Sequence, residues 1–324
     1  MKILIVGAGN IGKRHLESLS KFNKIKQFYI VEKNNLNVQT LKKKFTKKNF
    51  FFFKKINNLE KGIKFDLVII STNSDIRFKI FEDLVKGFKV NYFILEKFVF
   101  QNIDHFNYAS KLIKDKKLKV FINCPMRIWP FFKKIKDKDY KSNIKVLVKG
   151  SKWGLASNAI HYIDLLIFLT KQNKVFISKK KKISIYKSKR KKFIEFSGRL
   201  DVKIDKNNSL IMIDDHKENF KPEMTIKLEN IFYDINADRD YYYVKKFKIK
   251  KNTEKKLIYK KIFKTPLQSQ LTLKIFKDIL FKKKHTIPRY EDLFRINKLL
   301  IKLFLNIYKK KVIDKKQNLD CPIT

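Results

Sequence analysis

Three glycines and one acid carry the clearest chemical signal in this sequence. Gly7, Gly9 and Gly12 follow the apolar run "ILIV" at residues 3–6, with Asn10 and Ile11 inside the spacing. Glycine is scarce here, with 8 copies in 324 residues, so three within six positions mark a place where side chains do not fit. A strand that ends at Gly7 and hands over to a helix near Gly12 cradles phosphate. Gly7 permits the tight turn, Gly9 lets backbone approach a pyrophosphate, and Gly12 allows close helix–strand packing. The free N–H groups and partial positive charge of the helix start complete the anion site. Glu32, twenty residues past Gly12, closes the second apolar run. A carboxylate there accepts hydrogen bonds from both hydroxyls of an adenine ribose and repels a 2′-phosphate. NAD is therefore favoured over NADP, with Lys33 beside the acid tempering the preference.

The elements that must position these residues alternate. Strand-like "KILIVGAG", "KQFYIVEK", "FDLVIISTN", "VNYFILEK" and "LKVFINCP" are separated by helical "GKRHLESLSKF", "NVQTLKKKF", "IRFKIFEDLVKG" and "FNYASKLIKDKK". Val-, Ile- and Leu-rich strands alternating with helices predict a mostly parallel sheet covered on both faces, a Rossmann domain over residues 1–122. The pattern then changes. Helix-like "RIWPFFKKIKDK", strand "NIKVLVKG" and helix "NAIHYIDLLIFLT" lead into a strand-rich stretch from about 174 to 263. It comprises "KVFIS", "KISIYK", "FIEFSGRLDVKI", "NSLIMID", "MTIKLENIFYDINA", "YYYVKKFKI" and "KLIYKKIF". Strands without intervening helices predict an antiparallel sheet in an α+β domain spanning residues 123–324. Helices near 266–283 and 291–310 close the chain. In the last, Ile296, Leu299, Leu300, Leu303, Phe304 and Ile307 line one face, so it packs against a core. With no Pro/Gly/Ser-rich linker, the two domains are expected to pack directly.

The net charge is +47. Such a balance suits a nucleic-acid or anionic-membrane partner. Yet Lys, Asn, Ile and Phe rise together while Gly falls, as AT-rich codon usage dictates, and the lysines are spread along the whole chain. No specific nucleic-acid partner is expected, and the dense run "KKKKISIYKSKRKK" at 179–192 reads as a solvated edge or hairpin. The two cysteines, Cys124 and Cys321, form no metal-ligand pattern, which points to a reducing cytoplasm. No leader segment and no membrane span are expected.

Six fragments in order resemble the Gfo/Idh/MocA family of oxidoreductases. They are "GAGNIGKRH", "IISTNSDIRF", "LEKFVF", "NCPMRIWP", "WGLASNAIHYIDLL" and "IPRYEDLF". The resemblance implies a Rossmann domain followed by an α/β domain on an open antiparallel sheet. It implies hydride exchange between nicotinamide and a carbinol or keto carbon of a sugar, cyclitol or sugar nucleotide, and a homo-oligomer. Ser71, Thr72 and Asn73 would lie over the nicotinamide half of the cofactor, and Glu96 and Lys97 would correspond to the family's Glu-Lys-Pro segment. Lys97 and His161 would be catalytic. An alcohol losing its hydride also loses a proton, so a base is required. An ordinary histidine pKa of about 6.5 suits that task and an ordinary lysine value of about 10.4 does not. Lys97 would thus polarise the hydroxyl while His161 takes the proton, or the reverse if burial lowers the lysine. Arg127, Asn158 and Asp164 are the expected substrate-side residues, Arg127 as an anion ligand or an interdomain ion pair and Asp164 as an orienting partner. His15, His105, His216 and His285 have no motif support and read as structural or exposed.

The departures matter. Ser157 stands where many members carry an Asp four residues before the helix histidine. Phe98 replaces the proline after the lysine, and Asn73 replaces the proline after Thr72. The Asn-Ala-Ile-His form, with Trp153-Gly154 upstream, is similar to members encoded with surface-sugar biosynthesis enzymes, whose substrates are nucleotide-linked sugars. A non-catalytic NAD-binding sensor or partner subunit is the alternative that the missing Asp leaves open.

Overall fold

The computed structural model describes residues 1–47, 49–137, 143–238, 240–249, 254–282, 285–312 and 320–324. In the first half, strands β1 (Lys2–Val6), β2 (Gln27–Val31), β3 (Phe50–Phe53), β4 (Lys64–Phe65), β5 (Leu67–Ile70), β6 (Lys89–Val90), β7 (Phe93–Leu95) and β8 (Val120–Ile122) alternate with helices α1 (Asn10–Leu19), α2 (Asn35–Lys44), α3 (Ser74–Gly87) and α4 (Ile103–Asp115). Six strands form one parallel sheet in the order β3-β2-β1-β5-β7-β8, and β4 pairs with β6 apart from it. Every residue of β5 and β7 is buried, as expected of strands covered on both faces.

Beyond β8 come α5 (Pro130–Asp137), β9 (Ile144–Gly150) and α6 (Leu155–Thr170). Then follow β10 (Phe176–Lys187), β11 (Ile194–Lys203), β12 (Ser209–Asp214), β13 (Glu223–Leu228), β14 (Ile231–Ala237), β15 (Tyr241–Ile249) and β16 (Lys255–Lys264). These strands order as β10-β11-β12-β9-β13-β14-β15-β16, antiparallel throughout except that β12 runs parallel to β9. Helices α7 (Gln268–Phe281) and α8 (Tyr290–Val312) complete the fold. α6 is apolar almost all round and buries eleven of its residues, the mark of a helix enclosed by other layers. α8 packs against α4, with the Tyr290 hydroxyl donating to the Phe106 carbonyl at 2.8 Å.

The two halves share packing. α7 lies on α1, where Leu271, Ile275, Phe276 and Ile279 join the core of Ile3, Ile5, Leu16 and Leu19. The Leu273 N–H donates to Ser18 Oγ at 2.9 Å across this contact.

Four local readings differ from the sequence expectation. "FFFF" at 50–53 is a strand that the reading passed over. "KVFIS" and "KISIYK" are one strand, β10, kinked by register shifts between Ile177 and Lys179 and between Lys181 and Ser184. β10 is an edge strand, and its run of solvated lysines protects that edge from pairing with another chain. "MTIKLENIFYDINA" is a hairpin of two strands. The first helix starts at Asn10, two residues before the position expected for Gly12, so Gly12 sits in its first turn.

Candidate functional site

The glycines divide their tasks as follows. Gly7 has φ +84°, and a Cβ on it would lie 2.9 Å from Thr72 Cγ2 and the Thr72 nitrogen. A Cβ on Gly12 would fall 2.0 Å from the Gly7 carbonyl oxygen and 2.8 Å from Ser71 Oγ. These two glycines are required by protein packing. Gly9 is different, because nothing lies within 4 Å of its missing Cβ. Its backbone instead borders two adjoining clefts, which also share Ser71, Thr72 and Asn73.

The first cleft, about 410 Å³, lies between Gly9 and Glu32. Glu32 is 7% exposed, and its Oε2 accepts from the Ala8 N–H at 2.6 Å while Oε1 accepts from the Asn34 N–H at 2.8 Å. The carboxylate is thus fixed against the glycine turn with its remaining lone pairs toward the cleft. The second cleft, about 470 Å³, holds Asn10, Ile11, Glu96, Lys97 and His161. Two clefts meeting at a glycine over a helix start fit a dinucleotide bent across its pyrophosphate. Buried polar atoms without a protein partner include Thr72 Oγ1, Asn123 Oδ1 and His161 Nδ1, all from residues lining the second cleft. Unsatisfied groups of this kind are what a polar ligand would pair with.

Ser71 anchors the floor, its hydroxyl donating to the Gly7 carbonyl at 2.6 Å. Asn73 is the N-cap of α3 and makes no side-chain capping bond, which leaves its amide to the clefts. Lys97 reaches across to α6, where Nζ donates to Asn158 Oδ1 at 2.6 Å and to the Ser157 carbonyl at 3.3 Å. Asn158 in turn donates to the Trp153 carbonyl at 2.6 Å, which fixes its orientation. Burial pulls the Lys97 amine below its ordinary range against the opposing pull of Glu96 and Glu195. The His161 imidazole is pushed down to about 3, first by burial and then by the Lys97 charge. The ordinary histidine value invoked from sequence therefore does not apply here, and His161 is neutral at physiological pH.

The Glu96 carboxylate serves the frame. Oε1 lies 2.9 Å from His15 Nε2 and accepts from Asn123 Nδ2 at 2.6 Å. Burial raises its pKa, but these hydrogen bonds and the Arg77 charge prevail and leave it below the ordinary range. His15 Nδ1 meets Thr272 Oγ1 on α7 at 2.8 Å, so this fully buried histidine links the two halves. Arg77 was not singled out by the sequence reading, yet it is 2% exposed and holds the loop that bears Lys97. Its Nη1 donates to the carbonyls of Glu96, Phe98 and Val99, and Nη2 donates to that of Thr72. No local motif announces it, because its partners are backbone atoms from another strand end.

Arg127 and Asp164 bind each other. Arg127 Nε donates to Oδ2 at 2.7 Å and Nη2 to Oδ1 at 2.5 Å, a bidentate pair. Burial raises the Asp164 carboxyl to about 6 although the Arg127 charge opposes it. Both residues come from the second half, and neither is among those lining the two clefts. Asn158, by contrast, is joined to Lys97.

A parallel sheet with a glycine turn at its centre, packed against a helix that lies on a second, largely antiparallel sheet, defines a two-domain fold with a Rossmann-like first half. Residues 1–128 match the family model described as "Oxidoreductase family, NAD-binding Rossmann fold". That match covers the parallel-sheet half of the chain. Solved structures extend the likeness of fold over nearly the whole chain. A Gfo/Idh/MocA family oxidoreductase from Vibrio cholerae has TM-score 0.69 at 13% identity, over 96% of this chain and 99% of that one. UDP-N-acetylglucosamine 3-dehydrogenase GnnA from Acidithiobacillus ferrooxidans has TM-score 0.68 at 10% identity, over 93% and 96%. The transcriptional regulator Gal80p from Kluyveromyces lactis has TM-score 0.65 at 15% identity, over 96% and 90%. No curated protein matches the chain in sequence. No helix among the described residues is long and apolar enough to cross a membrane.

Proposed function

We propose that the protein is an NAD-dependent dehydrogenase acting on a CH–OH group of a sugar or nucleotide sugar, in the cytoplasmic synthesis of surface-polysaccharide sugars. The observation that carries this reading is that Lys97, held by Asn158, and His161, with an unpartnered Nδ1, both line the cleft that begins at Gly9. When bound, the coenzyme supplies the hydride acceptor or donor. Gly9, Asn10, Ile11 and the start of α1 would hold its pyrophosphate, and Glu32 its adenine ribose. Ser71, Thr72, Asn73 and the 96–97 backbone would border its nicotinamide half.

Around the reacting carbon, the residues divide the proton chemistry. Lys97 Nζ, lowered by burial, takes the hydroxyl proton when neutral and returns it when charged. Neutral His161 offers Nδ1 to the same hydroxyl and fixes its direction. Its depressed pKa makes it the weaker base of the two, which favours the reversed assignment. We place the division between nucleotide and substrate domains at residues 122 and 123, with the open sheet of the second domain serving homo-oligomerisation. The GnnA likeness agrees with a nucleotide-sugar substrate.

The test is turnover of coenzyme against a panel of sugar nucleotides, followed by absorbance at the reduced nicotinamide band. Lys97→Ala and His161→Ala should each lose turnover while still binding NAD, and full activity in both excludes the assignment. The likeness to Gal80p and the depressed His161 favour a second reading, a non-catalytic NAD-binding sensor or partner subunit. Stoichiometric NAD binding with no redox change across the panel would select it.

A further inference from the structure

We propose that Glu195 is a positioning residue for Lys97, a carboxylate that β11 sets behind Ser157 to hold the amine as an ammonium facing the cleft. This rests on the reading of Lys97 as the proton-handling amine. Ser157 is the link between the two. Its carbonyl accepts from Lys97 Nζ at 3.3 Å, and its own N–H donates to Glu195 Oε2 at 3.4 Å. Glu195 is 7% exposed, an unusual place for a carboxylate unless a cation faces it. Gly154, with φ +80°, gives it room, for a Cβ there would come within 3.1 Å of Glu195 Oε1.

A plain capping role does not account for this carboxylate. The α6 start already has a cap in Asp214, which accepts from the N–H groups of Lys152, Gly154 and Leu155 at 2.8, 2.9 and 3.1 Å. Glu195 accepts from the Ser157 and Phe196 N–H groups at 3.4 Å each, the outer limit of a hydrogen bond. Its lone pairs are thus weakly used by backbone. The other acid near Lys97 is Glu96, whose charge is already engaged by His15 and Asn123. Glu195 has the Ser157 hydroxyl as a side-chain partner and, among the described residues, no cation within ion-pair distance.

The charged and titratable surroundings are these. Lys97 feels Glu96, Glu195, Cys124 and Arg190, and its own charge bears on His161. Glu195 stands opposite Tyr186 on β10, whose hydroxyl bonds to Asp214, and the Cys321 thiol feels the Glu195 charge. Burial raises the Glu195 carboxyl above its ordinary range; hydrogen bonds from Ser157 and Phe196 and, last, the Lys97 charge oppose the rise without cancelling it. Each charge thus opposes the burial that drives the other group toward its neutral form.

The experiment is trace acetylation of the full-length protein with acetic anhydride across pH, with labelling of the Lys97 peptide read by mass spectrometry. It needs neither coenzyme nor substrate, so it stands whatever the reaction proves to be. Glu195→Gln should lower the Lys97 labelling midpoint by about one pH unit, as expected on removing an opposite charge. Glu195→Asp should hold it within roughly 0.3 unit of wild type, since the charge is kept. Asp214→Asn should lower thermal stability and leave the midpoint where it was. If Glu195→Gln does not fold, Glu195→Met, of similar volume, takes its place with the same expected shift. An unmoved midpoint in the folded, uncharged variant overturns the proposal and reduces Glu195 to a second helix cap.

Discussion

Lys97 Nζ donates to Asn158 Oδ1 at 2.6 Å, so an amine from the end of β7 is held by an amide from the first turn of α6. This bond joins the loop after β7 to α6 beside the inner cleft. Shortening either partner loosens that join. Asn158→Ala should leave coenzyme affinity within about threefold and reduce kcat by about 10- to 100-fold, as expected when a catalytic group is held less accurately. Steady-state kinetics beside calorimetry of NAD binding separates the two effects.

The glycine turn gives a sharper expectation. Because nothing lies within 4 Å of a Cβ at position 9, Gly9→Asp should fold normally. Its carboxylate would face the diphosphate and keep backbone away from it, lowering NAD affinity by roughly 100-fold or more. Circular dichroism and calorimetry together check both halves of this statement. Unchanged affinity would refute the phosphate site.

Coenzyme choice turns on Glu32. Glu32→Ser removes the charge that repels a 2′-phosphate and leaves Lys33 beside it. NAD should bind about 10-fold more weakly and NADP more tightly than to wild type. A parallel titration of both coenzymes reads the change, and identical shifts in the two would speak against a ribose contact.

Arg77 offers a stability measurement. Arg77→Met leaves the carbonyls of Thr72, Glu96, Phe98 and Val99 without this donor. A loss of about 3 kcal/mol or more is expected from buried acceptors stranded in this way. Urea unfolding measures it, and a change below about 1 kcal/mol would mean that water replaces the guanidinium.

His161 predicts a pH dependence. Its folded value of about 3 lies below the unfolded 6.5, so the unfolded chain binds the extra proton. The stability it contributes is complete above pH 6.5 and declines as pH falls from there toward 3, by at most about 1.4 kcal/mol per pH unit. His161→Gln should flatten that part of the curve. Denaturant midpoints taken between pH 4 and 7 for both proteins give the comparison.

Much of the frame was legible because its signals are local. The runs "ILIV" and "LVII" can only be buried strands, and the glycine spacing at their end speaks for itself. Phe50–Phe53 was illegible because four identical aromatics show no alternation and lack the β-branched residues that mark its neighbours. β10 looked like two strands because four lysines interrupt it, and only pairing with β11 shows that the backbone continues through them. Arg77, His15 and Glu195 were missed or underrated for a shared reason. Each acts on atoms distant in sequence, and only tertiary structure supplies the partner. For Arg127 the sequence suggested an anion ligand or an interdomain ion pair, and the structure instead pairs it with Asp164 within the second half.

The seating of α7 on α1 bears on how the chain is made. The β1–α1 surface cannot complete its own core on leaving the ribosome, since Leu271, Ile275, Phe276 and Ile279 are synthesised some 250 positions after the residues they cover. Until then the nascent nucleotide half carries a bare apolar stripe, a target for chaperones and a source of aggregation. Contacts so remote in sequence also make final closure slow. A fragment ending at residue 122 should accordingly be insoluble or partly molten, whereas the same fragment supplied with an α7 peptide should recover a native-like near-ultraviolet spectrum.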